Sequence, residues 1–86
     1  MDVIVSVPTY DPGRGLSFVW DDGFEIAMKV TNVEVTITAN SAGLVTLARH
    51  LLALAQDSAR PGTHLHLTAN QEVDSSLDLV IERAVD

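Results

Sequence analysis

Apolar residues recur at period two through most of the first 38 positions, a spacing that puts every second side chain on one face of an extended strand. Val3, Val5 and Val7 predict a first strand. After the turn-forming run Asp11-Pro12-Gly13-Arg14-Gly15, Leu16, Phe18 and Trp20 predict a second; Phe24, Ile26, Met28 and Val30 predict a third, beyond the short loop Asp21-Asp22-Gly23. Thr31-Asn32 suits a two-residue turn into a fourth strand carrying Val33, Val35 and Ile37. These loops pair Trp20 with Phe24 and Val30 with Val33, so one apolar face persists through both hairpins. Ser17, Glu25, Lys29, Glu34, Thr36 and Thr38 fall on the opposite face, interrupted by Val19 and Ala27.

At Ala39-Asn40 the period changes to about 3.6, and a helix is predicted over Ser41 to Ser58. Asn40 is the N-cap candidate, because its side-chain oxygen can accept a bond from a first-turn amide, with Ser41 as the alternative. Leu44, Leu47, Ala48, Leu51, Leu54 and Ala55 form the stripe expected to meet the sheet, whereas Thr46, Arg49, His50, Gln56 and Asp57 lie away from it. Arg60-Pro61-Gly62 stops the helix. Alternation returns in Thr63 to Thr68, with Leu65 and Leu67 inward and His64 and His66 outward. It recurs after a polar loop, where Leu77, Leu79 and Ile81 point inward, opposite Asp78, Val80 and Glu82. The expected fold is one α+β domain over residues 1–86, a mostly antiparallel sheet of about six strands in ββββαββ order with the helix on one face. A helix of this length could return the chain along the sheet and leave the fourth and fifth strands parallel.

Composition narrows the chemistry. Apolar residues make up 47% of the 86, enough for one modest core, and there is no cysteine to form a disulfide or bind a metal. Twelve acids against five bases give a net charge of −7, which disfavours nucleic acid and anionic membranes and favours a basic partner. Met1-Asp2 is followed by an apolar run too short for a signal peptide or a membrane span, so a cytoplasmic location is expected.

Candidate sites lie on the polar sheet face. His64-x-His66 puts two imidazoles on one side of a strand, where they could hold zinc or copper if Asp78 or Glu82 supplied further ligands. Glu25, Glu34, Asp78 and Glu82 could cluster as an acid–base set, but a flat exposed face gives little of the desolvation that shifts a carboxyl pKa, so no enzyme is expected. Trp20 and Phe24 share the inward parity and read as core. Val45 and Leu52, on the flank of the helix, suit either an interface or cover by another segment. Phosphate-loop, nucleophile-elbow and dinucleotide patterns are absent, and no cofactor is implied.

Four blocks carry a family resemblance: Trp20-Asp21-Asp22-Gly23-Phe24-Glu25-Ile26, Ala39-Asn40-Ser41-Ala42-Gly43-Leu44, Leu47 to Gln56, and Pro61-Gly62-Thr63-His64-Leu65-His66-Leu67. Together they resemble the immunity protein 32 family of bacterial polymorphic-toxin systems over about Trp20 to Arg83. The resemblance implies a cytosolic antitoxin that binds and blocks a partner toxin without chemistry of its own. An acidic sheet face suits the basic substrate groove of a nuclease or similar toxin, and Glu25, Glu34, His64, His66, Asp78 and Glu82 are the expected contact residues. The competing readings are a metal or small-ligand site at His64 and His66, and a homo-oligomer paired through the outer sheet face or an exposed edge strand.

Overall fold

The computed structural model describes all 86 residues, in the order β1 (Ile26–Val30), β2 (Val35–Ala39), α1 (Ser41–Leu54), β3 (His64–Leu67) and β4 (Leu79–Glu82). The α+β class with a single helix holds, but the strands number four rather than six and form two separate antiparallel pairs, β1–β2 and β3–β4. The strands before and after the helix therefore lie in different sheets, and there is no parallel crossover. No helix is long and apolar enough to cross a membrane.

The two expected strands Val3–Val7 and Leu16–Trp20 form no ladder; the backbone of the N-terminal residues is instead met at several points by side chains of the helix and of Gln56, just beyond its end. Arg49 Nε donates to Ser6 O at 2.9 Å, and Gln56 donates to Pro8 O while accepting from Tyr10 N. Thr46 Oγ1 accepts from Asp21 N at 3.0 Å, and His50 Nε2 lies 2.9 Å from Val19 O. Arg49 also pairs with the Asp21 carboxylate at 2.7 Å. Period two shows that a segment is extended. Whether it is paired depends on what its amides meet.

This cover rotates the buried face of the helix. Gly43, Thr46, His50, Ala53 and Leu54 are buried, whereas Leu44, Leu51 and Leu52, expected in the stripe or on its flank, are exposed. The inward parity of Leu16, Phe18, Trp20 and Phe24 survives, since all four pack on the core of Ile26, Leu54, Leu65, Leu67 and Val73. The Trp20 and Phe24 rings lie 5.0 Å apart. The helix ends at Leu54, short of Ser58, where Arg83 Nη1 donates to the carbonyls of Leu54 and Gln56 at 2.7 and 3.0 Å. A cation at the negative end of the helix dipole thus satisfies carbonyls that the helix leaves unpaired.

In the β1–β2 hairpin, Val30 pairs with Val35 and Met28 with Ile37, so the register differs by two residues from the expected pairing of Val30 with Val33. A shift of two leaves every side chain on its expected face, where a shift of one would have inverted the hairpin. Thr31 makes the longer turn, its hydroxyl accepting from Val33 N and Glu34 N. In β3–β4 the expected alternation holds: Leu65 and Leu67 are buried, and His64, His66, Val80 and Glu82 face outward. Leu77, expected inward, precedes β4 and is exposed.

Asn40 joins the hairpin to the helix. Its Oδ1 accepts from Gly43 N at 2.8 Å as the N-cap and from Glu25 N at 2.9 Å, and its Nδ2 donates to Gly23 O at 2.9 Å. The backbones approach so closely here that a Cβ on Gly43 would stand 2.5 Å from Glu25 O. Asn40→Ala should cost about 2 kcal/mol through the lost cap and tertiary bonds. Gly43→Ala should cost about 1–3 kcal/mol through overpacking, despite alanine's better helix propensity. Urea denaturation of both variants measures these losses.

His50 is buried between Phe18 and Trp20, with ring centroids 4.8 and 4.5 Å away, both edge-on. Because Nε2 faces a carbonyl it carries the proton, and Nδ1 is buried without a partner. Protonation would bury an unsatisfied N–H. Burial accordingly lowers the pKa from its ordinary 6.5, with the Arg49 charge adding to the shift and the Val19 carbonyl and Asp21 carboxylate opposing it. The unfolded chain then binds more protons than the folded one below about pH 6.5, so stability is full above that value and falls as the solution is acidified. Melting temperature should decline between about pH 7 and pH 5, and the decline should shrink in His50→Gln, as thermal melts across that range will measure.

Candidate functional site

The outer face of β3–β4 gathers four of the expected contact residues. His64 stands opposite Glu82 and His66 opposite Val80, and His66 Nε2 lies 2.8 Å from Asp78 Oδ2. The other Asp78 oxygen accepts from Ala69 N at 2.7 Å. Those two bonds, the Ala69 amide first, hold the Asp78 carboxyl below its usual pKa. The His66–Asp78 pair is half exposed, so solvent screens it and it orients groups more than it stabilises the fold.

Glu25 and Glu34 belong to the other sheet, at opposite ends of the hairpin. Glu34 lies in the exposed turn, where its carbonyl accepts from Thr31 N at 2.9 Å. Glu25, just before β1, lines a groove of about 520 Å³ whose far wall is the loop carrying Asn70, Gln71, Glu72 and Asp74. The sequence presents this loop only as polar. Fully buried Val73 anchors it in the core, and Asp74 pairs with the outer edge of β1, donating to Ile26 O at 2.7 Å and accepting from Met28 N at 3.0 Å. Asn70 makes the turn at φ 59°, a left-handed conformation that asparagine tolerates better than most residues. Glu72 caps the loop by accepting from Thr68 N at 2.9 Å.

Three carboxylates, from Glu25, Glu72 and Asp74, thereby line one open groove beside carboxamides. Through the bond from Ala69 to Asp78, the groove adjoins the histidine-bearing face. Nothing in Glu72 or Asp74 announces this grouping in the sequence. It arises from the isolated bridge between Ala27 and Asp74, a contact across the chain that no local period encodes.

The arrangement suits electrostatic recognition of a basic, hydrogen-bonding surface. The His64 and His66 ring centroids are 6.3 Å apart, His66 is engaged by Asp78, and no three metal-ligating side chains converge anywhere in the chain.

No curated protein and no solved structure matches the chain. A family model described as Immunity protein 32 matches residues 34–84, more than half of the chain. The match spans Asn40 and Gly43 at the helix start, the groove loop, both histidines, Asp78 and Glu82, and on its strength the chain belongs to the immunity protein 32 family.

Proposed function

We propose that this protein is the immunity partner of a toxin, which it binds and blocks in the cytoplasm without chemistry of its own. The family match over residues 34–84 carries the reading. The contact surface in this proposal is the acidic groove together with the outer face of β3–β4: Glu25, His64, His66, Asp78 and Glu82, with Glu34 reaching the partner from the hairpin tip.

Physical chemistry supports that choice of surface. A chain of net charge −7 attracts a basic partner from a distance, and exposed carboxylates beside imidazoles and carboxamides can meet guanidinium and ammonium groups with directed hydrogen bonds. A nuclease or similar toxin, whose substrate groove must be basic, is the partner class that fits. Steering of this kind acts mainly on the association rate, which should fall as salt is added.

A toxin domain identified in the genes adjoining this chain's own is the partner with which the proposal is tested. The double charge reversal Glu25→Lys with Glu82→Lys is expected to weaken binding roughly 10- to 100-fold and to abolish rescue of cells expressing that toxin. Calorimetric affinity unchanged by the double variant would remove this surface from the proposal. Absence of any complex with wild-type protein would remove the immunity role itself.

A further inference from the structure

Strand β2 has a free edge. It pairs only with β1, and in that ladder the bonds Asn40 N to Glu25 O and Thr31 N to Glu34 O set the alternation. Residues 34, 36, 38 and 40 direct their amides and carbonyls at β1, so those of Val35, Ile37 and Ala39 point outward. The corresponding outer edge of β1 is occupied, since Asp74 bonds Ile26 and Met28. The outer edge of β2 meets nothing.

Free edges are ordinarily protected by lysine, proline, a bulge or a covering segment. β2, Val-Thr-Ile-Thr-Ala, has none of these and is β-branched at four of its five positions. It is also the one strand without an ionisable side chain: β1 carries Lys29, β3 carries His64 and His66, and β4 carries Glu82. The apolar face of the hairpin is uncovered toward its tip, with Val30 49%, Val33 90%, Val35 61% and Ile37 42% exposed.

We infer that β2 pairs antiparallel with β2 of a second copy about a two-fold axis at Ile37, making a continuous four-stranded sheet across a homodimer. In that register Ile37 faces Ile37, Val35 faces Ala39, Thr36 faces Thr38 and Glu34 faces Asn40, so two chains of net charge −7 meet without opposing like charges along the strand. The outward amides and carbonyls of Val35, Ile37 and Ala39 then bond their counterparts. Val35 and Ile37, the exposed apolar residues of β2 itself, add side-chain contact across the paired edge. An interface of one five-residue strand per copy is small and belongs to the weak, reversible class. Each acidic groove is lined by Thr38, Ala39 and Asn40 as well as by β1 and the loop carrying Asp74, so its β2 side borders the paired edge.

Sedimentation equilibrium up to about 300 µM, a concentration that populates a weak dimer, tests the assignment. Wild-type protein should have twice the chain mass. Ile37→Lys and Ile37→Glu should each be monomeric, because the axis sets like charges face to face, and a 1:1 mixture of the two should recover the dimer mass. Hydrogen exchange on wild-type protein supplies a readout independent of the variants: the Val35, Ile37 and Ala39 amides should exchange more slowly as concentration rises. A wild-type monomer at the highest concentration overturns the inference. So does a dimer in which those amides exchange at a concentration-independent rate, or dimeric Ile37→Lys and Ile37→Glu proteins.

Discussion

The side chain of Asn40 holds the fold at the point where sheet becomes helix. One carboxamide caps the first turn through Gly43 N and binds Glu25 N and Gly23 O, so helix start, hairpin base and the preceding turn share a single anchor. Gly43 makes the arrangement possible because any larger residue would drive a carbon into Glu25 O. Lose either residue and the helix no longer meets the hairpin at the same distance. The position of Glu25 in the groove depends on the same contact, which links an element of the fold directly to the surface proposed to bind.

A second constraint is that side chains of the helix, and of Gln56 just beyond it, do what strands usually do for one another. Thr46, Arg49, His50 and Gln56 reach the backbone of the first 22 residues at five places, from Ser6 to Asp21. Each such bond has a modest net value of about 1 kcal/mol, and leaving any of these groups buried and unmet would cost more. This explains why polar residues occupy the buried side of an otherwise apolar helix. It also makes the N-terminal segment sensitive to the state of His50, the one buried histidine.

Two small sheets, in place of one wide one, distribute the exposed surface. The β3–β4 pair presents histidines and acids, the groove beside it adds acidic residues from two chain segments, and the outer edge of β2 carries no charge. Charge and apolar surface are thus segregated. A basic partner at the groove and a second copy at β2 would share the neighbourhood of Glu34 and of Thr38 to Asn40, so the two proposed associations adjoin.

Much of this was legible in the residues. Period two and period 3.6 located the hairpin, the helix, the two strands after it and the inward parity of Trp20 and Phe24, because those features depend on nearest neighbours along the chain. The Asn40 cap was legible for the same reason, and the outward grouping of His64, His66, Asp78 and Glu82 followed from alternation alone. Only tertiary structure decided the rest. Whether Val3–Val7 and Leu16–Trp20 pair as strands, which side of the helix is buried, and whether Glu25 meets Glu72 and Asp74 depend on contacts between segments far apart in sequence. No local period carries that information: Arg49, Gln56 and Val73 each act on a partner whose position is set by the folded chain, and a change in that partner would leave the sequence pattern untouched.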